Sequence, residues 1–202
     1  MLNKDTYKTI TNTSEEVVFK DRGSKFLGYV FPLQNEEEVK EIVDKLKKAH
    51  HKARHWCYAW KLGFDSFQFR VHDDGEPNNS AGQPIYGQIM SKEVTNVLVV
   101  VVRYFGGTKL GVGGLVNAYK TTAQLALESS KIIIKTIDSS YKLVFDYPVM
   151  NKVMRIIKEN NVSIITQNME HKCEFKISIR KREALKVKMA LDELREVLIT
   201  EI

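Results

Sequence analysis

Apolar residues run unbroken through positions 97–102, and this β-branched stretch sets the frame for the rest of the chain. Valine packs well on a pleat and loses side-chain freedom in a helix, so the run reads as a strand buried on both faces. Around it the apolar positions recur at period two. Residues 17–19 and 26–33 read as strands joined by a turn at Asp21-Arg22-Gly23, and residues 55–62 and 66–71 as a hairpin turning at Gly63-Phe64-Asp65. In residues 36–50 the spacing changes, with Val39, Ile42, Val43 and Leu46 forming one stripe of a helix. Ser80 reads as the N-cap of another helix, Gln83 completing a capping box and Pro84 sitting in the first turn. The valine strand, a glycine-rich loop, a helix over 112–129 and a strand over 132–137 complete a first domain, residues 1–137.

Asp138-Ser139-Ser140 reads as a short linker, after which the pattern restarts. Strand 141–145, helix 148–160, strands 162–167 and 173–179, helix 182–194 and a last strand at 197–199 follow in order. That β-α-β-β-α-β order is the ferredoxin-like arrangement, placed in a second domain, residues 138–202. The fold class predicted is therefore α+β, in two domains.

Composition narrows the picture. At 202 residues with 43% hydrophobic and 28% charged side chains, the chain has the apolar content for substantial cores. Met1-Leu2-Asn3-Lys4-Asp5 turns polar almost at once, and the run over 97–102 is far too short to span a bilayer. Cys57 and Cys173 lie far apart, without metal or redox spacing, so a cytoplasmic protein with no membrane partner is expected. A net charge of +6 is mildly basic, short of the imbalance of a dedicated nucleic-acid binder. The charge is unevenly spread: Lys45, Lys47, Lys48, Lys52 and Arg54, with His50, His51 and His55, form one segment without an acid. A helix C-terminus explains Lys45 to Lys48. It does not explain why the run continues through Arg54 and His55 into a strand.

Three constellations carry candidate chemistry. The valine strand ends in Arg103 and then Gly106, Gly107, Lys109 and Gly111, ahead of Gly113 and Gly114. Bare backbone N–H groups and a helix N-terminus beside cations suit an anion. The P-loop and the dinucleotide fingerprint are each matched only in part, so the nucleotide-cofactor reading is weak and no cofactor is expected. The glycines alternatively serve turns and close packing. Asp73, Asp74 and Glu76 crowd three carboxylates into four positions, and the readings are a general acid/base group, a magnesium site, an acidic patch meeting Arg103, or a solvated turn. The metal reading is the weaker one, because no second acidic cluster or metal-spaced histidine accompanies them. His55 stands beside Cys57 on a predicted strand, which allows a nucleophile pair or simply a small buried cysteine. Trp56, Tyr58 and Trp60 share the other face, where a core role is favoured over a platform for stacked bases.

The chain resembles the YigZ/Impact family. The residues that carry the resemblance are Ser24-Lys25-Phe26-Leu27, the run from Ala53-Arg54-His55-Trp56 to Cys57-Tyr58-Ala59, Asp73-Asp74-Gly75-Glu76-Pro77 with Ala81-Gly82-Gln83-Pro84-Ile85, and Arg103-Tyr104-Phe105-Gly106-Gly107-Thr108-Lys109-Leu110-Gly111. Where that pattern commonly has Gly-Thr before Ala81, this chain has Asn79-Ser80. Asn tolerates the left-handed backbone and Ser keeps a capping hydroxyl. The resemblance implies a first domain similar to the second domain of small-subunit ribosomal protein S-five. It implies a second domain similar to the last domain of elongation factor G. Eukaryotic relatives regulate translation through protein–protein contact that blocks activation of a stress kinase. The leading expectation is a non-enzymatic, translation-associated regulator that binds RNA or a ribosomal surface through an Arg/Gly-rich cleft. Lys25, Lys52, Arg54, His55, Arg103, Gly106, Gly107, Lys109 and Gly111 would line that cleft, without cofactor or metal. One alternative is a hydrolase-like enzyme on a phosphorylated small molecule, using Asp73, Asp74, Glu76 and His55. The other is a protein-interaction regulator like the eukaryotic relatives.

Overall fold

The computed structural model describes residues 5–64 and 66–202. Residues 1–4 and Asp65 of the predicted hairpin turn lie outside them. The chain divides into two compact units, Lys8–Ile134 and Met1–Tyr7 with Lys135–Ile202.

β1 (Thr6–Ile10), whose Thr6 and Tyr7 fall in the second unit, is followed in the first by β2 (Val17–Asp21), β3 (Ser24–Pro32), α1 (Glu37–Ala49), β4 (His55–Leu62) and β5 (Gln68–His72). Then come α2 (Gly82–Ser91), β6 (Val97–Tyr104), α3 (Gly111–Ser129) and β7 (Ile132–Thr136), whose last two residues fall in the second unit. Five strands form one antiparallel sheet in the order β2-β3-β6-β4-β5, while β1 pairs with β7 separately. Central β6 explains the unbroken apolar run. Val97, Val99 and Val101 pack on one face with Ile85 and Ile89 of α2 and Tyr119 and Ala123 of α3. Leu98, Val100 and Val102 pack on the other with Val39, Val43 and Leu46 of α1. All six are fully buried, each contributing roughly 1.5–3 kcal/mol of transfer free energy. The same alternation on β4 sends Cys57 and Ala59 to the α2/α3 face, and Trp56, Tyr58 and Trp60 to the α1 face.

The second unit runs β8 (Asp138–Phe145), a 3-10 turn (Tyr147–Val149) leading into α4 (Met150–Glu159), β9 (Ser163–Met169), β10 (Cys173–Arg180), α5 (Lys181–Asp192) and β11 (Leu198–Glu201). Its antiparallel sheet is ordered β11-β8-β10-β9. Cys173, Phe175, Ile177 and Ile179 of β10 point to a core shared with Val153, Ile157, Val187 and Leu191 of the helices. Among the described residues no helix is long and apolar enough to cross a membrane.

Two local expectations are corrected. Asp138-Ser139-Ser140 is not a linker: these residues open β8 and pair with Arg180, Ile179 and Ser178 of β10. Serine is a weak strand former, and here the ladder with a committed neighbouring strand overrides its propensity. Nor does Ser80 cap α2, since its hydroxyl donates to the Pro77 carbonyl at 2.6 Å. The helix instead opens on Asp73, whose Oδ1 accepts from the Ala81 and Gly82 N–H groups at 3.0 and 2.8 Å. An ionised carboxylate outcompetes a neutral hydroxyl for those donors.

Candidate functional site

The site forms where β6 ends between β3 and β4. The β2–β3 turn has only two residues, Arg22 and Gly23, both left-handed at φ 43° and 80°, as a tight hairpin requires. This turn presses on the loop leaving β6. A methyl placed on Gly106 would lie 1.9 Å from the Gly23 carbonyl carbon. The Gly106 N–H donates to Ser24 Oγ at 3.2 Å, fastening the two loops together.

Strand register then places three side chains side by side on the α2/α3 face, Phe26 and His55 flanking Arg103. Arg103 is 5% exposed and Glu76 8%. The guanidinium Nη1 donates to Glu76 Oε1 at 2.6 Å, and Nη2 reaches Ser24 Oγ at 3.4 Å. Its centre lies 5.4 Å from the Phe26 ring centroid and 5.6 Å from that of Phe105. The Tyr119 hydroxyl donates to the same Glu76 oxygen at 2.8 Å. The Cys57 thiol reaches the Asp73 carbonyl at 3.0 Å and the Tyr119 hydroxyl at 3.3 Å. His55 Nδ1 is 2.8 Å from the Asp74 carbonyl oxygen. It therefore carries the proton, and Nε2 turns toward Glu76 at 3.9 Å. A buried charge pair thus sits in the core beneath two loops, tied to three elements. Removing either partner strands the other in a low-dielectric interior.

The carboxylate cluster does not act as a unit. Asp73 caps α2 and also accepts from the Asn79 N–H at 2.9 Å. Asp74, left-handed at φ 46°, accepts from the Trp56 N–H at 2.7 Å. Glu76 holds Arg103. Each is committed to a separate structural task, and no group of three or more His, Cys, Asp or Glu able to hold a metal is found among the described residues. Asp73→Ala is expected to lower unfolding free energy by about 1–2 kcal/mol in urea melts, the cost of a lost helix cap.

Cys57 is fully buried, which favours the reading of a small buried cysteine. Burial pushes its thiol well above the ordinary range, and the carboxylates of Glu76, Asp74 and Asp73 add to the shift. Burial likewise raises the Tyr119 phenol, with Cys57 and Glu76 contributing. Both cysteines are free and buried. A thiol reagent at neutral pH is expected to label neither in the native protein and both in denaturant, as intact mass would record.

The remaining predicted cations are exposed, except for the half-buried Lys25. Arg54 and Lys52 are exposed, and the Arg54 N–H donates to the Arg103 carbonyl at 2.9 Å. On the other side of β6, half-buried Lys25 pairs in register with Tyr104. Lys109 is exposed in the loop beyond. Gly107 and Gly111 take φ values of 86° and 72°, and nothing occupies the space a side chain would enter. Arg103 is therefore brought next to these groups but held inside, its charge spent on Glu76. His51, exposed in the turn after α1, and His55 on β4 do not share a helix. Sequence reasoning missed Tyr119 and Ser24 as members of the network. The signal for Tyr119 was a phenol on the apolar stripe of α3, since a buried hydroxyl requires a partner.

An α+β unit whose core encloses an Arg–Glu pair beneath a glycine loop defines the class, and comparison with known proteins gives the family. The family model described as the Impact N-terminal domain matches residues 22–127. An IMPACT family member of Haemophilus influenzae is 35% identical over 158 residues, covering 76% of this chain and 77% of that protein. YigZ of Escherichia coli is 34% identical over 156 residues, 76% of each chain. A solved crystal structure described as that of a hypothetical protein aligns over 98% of both chains, with a TM-score of 0.73 and 27% identity. The chain belongs to the IMPACT family.

Proposed function

We propose that this protein is a non-enzymatic, translation-associated regulator that binds RNA on a ribosomal surface through the sheet end around Arg103. The observation that carries the reading is electrostatic. Lys25 stands on β3 and Arg54 just before β4, the strands that flank the end of β6, and Lys109 follows it, while the carboxylate that meets Arg103, Glu76, is already neutralised by it. The outward field at this end is thus basic, and the exposed loop adds backbone N–H groups at the start of α3. Glu76, Asp73 and Asp74 are all engaged in the fold, which weighs against the hydrolase reading. In this account Arg103 and Glu76 shape the surface, and Lys25, Lys52, Arg54 and Lys109 touch phosphate. In the second unit, the sheet order β11-β8-β10-β9 supports reading it as a ferredoxin-like domain. Family membership supports the link to translation, as the eukaryotic relatives regulate it.

The test is the salt dependence of binding to ribosomal RNA. Each phosphate contact releases counterions, so Arg54→Ala and Lys109→Ala should each flatten the slope of log K against log salt by about 1. Unchanged slopes in both variants would place the contact elsewhere.

A further inference from the structure

The sheet of the first unit ends on β5, and this edge is open. β5 pairs with β4 alone, and no further backbone hydrogen bond reaches residues 68–72 among the described residues. A free strand edge is a template for another chain, and it is normally blunted by proline, a bulge or charge. β5 has little of this protection. It lacks proline and keeps an unbroken register with β4, and its one permanent charge, Arg70, is paired with Glu36.

Beside the edge lies an uncovered aromatic cluster. Phe69 stacks on Tyr86 of α2, with centroids 4.4 Å apart and planes 17° from parallel. Phe67 stands 6.4 Å from Phe69. Phe67, Phe69 and Met90 are 44%, 48% and 41% exposed. Contiguous apolar side chains left so open mark an interaction surface. A cation sits among them. Strand pairing sets Lys61 opposite Phe69, and its Nζ lies 4.5 Å from the Phe67 ring centroid and 3.7 Å from Met90 Sδ. No carboxylate among the described residues pairs with it. Burial lowers the pKa of this ammonium, as expected of a charge that has lost water without gaining a counter-charge.

These features together select an occupant. Open backbone N–H and C=O groups suit a polypeptide added as a strand, a match that nucleic acid does not make. A second copy of this chain would set the same cations against one another, because a two-fold interface repeats each patch on both sides. An uncompensated ammonium calls instead for a carboxylate. Residues two apart on a strand share one face at a spacing of about 6.6–6.8 Å. The 6.4 Å between Phe67 and Phe69 is close to that spacing. One residue of an added strand therefore meets Lys61 over Phe67 while the next on that face covers Phe69 and Tyr86.

We propose that β5 docks an extended acidic segment of a partner protein as an added strand, with a carboxylate two positions from a large apolar residue. The surface is distinct from the basic sheet end around Arg103, so it stands or falls separately from the ribosomal reading.

The probe is the heptapeptide Thr-Thr-Glu-Thr-Leu-Thr-Thr, blocked at both ends and titrated into the full isotopically labelled chain. Saturable shifts of the backbone amides of residues 68–72 are expected, with slower hydrogen exchange at those that face away from β4. The isomer Thr-Thr-Glu-Leu-Thr-Thr-Thr puts the two side chains on opposite faces and should bind several-fold more weakly. Lys61→Gln should weaken binding of the first peptide several-fold without changing the melting temperature. A peptide with Gln in place of Glu should lose as much, and Lys61→Gln should cost it nothing further. Absence of shifts at β5, equal affinity for the two isomers, or full affinity in Lys61→Gln overturns the proposal. So does an oligouridylate that shifts these amides at lower concentration than the peptide, or their concentration-dependent broadening in a dimer without peptide.

Discussion

Glu76→Ala is expected to lower the stability of the first unit by about 3–5 kcal/mol, because it leaves the Arg103 guanidinium buried without a counter-charge. The loss extends beyond one contact. Tyr119 loses its acceptor, and the Asp73–Ser80 segment loses its attachment to β6. Arg103→Met should cost a similar amount by stranding Glu76, although methionine recovers part of the packing against Phe26. The double variant Glu76→Leu with Arg103→Met is expected to be much less damaged than the sum of the singles. Replacing a buried pair with apolar groups removes both desolvation penalties at once. Urea melts of the native protein, Glu76→Leu, Arg103→Met and their double variant check this. Additive losses would show that the two charges do not depend on one another.

The second large effect is at Gly106. A methyl there meets the Gly23 backbone, which cannot rotate out of the way as a side-chain end would. Gly106→Ala is expected to cost on the order of 2 kcal/mol or more and to part the β2–β3 turn from the loop after β6. Gly107→Ala makes an instructive contrast. Its φ of 86° strains an alanine, but nothing stands within 4 Å of the added methyl. Its cost should stay near 1–2 kcal/mol, the conformational penalty alone. Equal losses at the two positions would mean that the close approach of the loops is not what makes Gly106 a glycine.

Much of the architecture was written in periodicity. The apolar run through β6 announced a strand covered on both faces, and the stripe Val39, Val43, Leu46 announced the helix that covers one of them. The split of β4 into a Cys57 face and a Trp56 face followed from period two alone. What the sequence pattern could not reveal was partner choice. Three carboxylates stood near one another, and a meeting with Arg103 was one of several readings. Only the register of β3, β6 and β4 and the path of the following loop select Glu76 for Arg103, and Asp73 for α2. Asp73 caps a helix that starts nine positions later, outside the reach of any local capping motif. The strand role of Asp138 to Ser140 was hidden for the same reason, because it depends on β10 and not on the residues themselves. The candidate cations were legible as a cluster. Their division into one buried and several exposed members was not, since burial is set by what packs above them.

The central claim is that the buried Arg103–Glu76 pair shapes a basic surface whose exposed cations engage the ribosome. Co-sedimentation with purified ribosomal subunits tests it most directly, comparing the native protein with Lys52→Glu/Arg54→Glu/Lys109→Glu at low and moderate salt. These side chains are exposed, so the variant should melt like the native protein. The account predicts that the native protein pellets with one subunit at low salt and is released as salt rises, while the variant stays in the supernatant. Equal pelleting of both proteins, or no pelleting of the native protein at low salt, would contradict it.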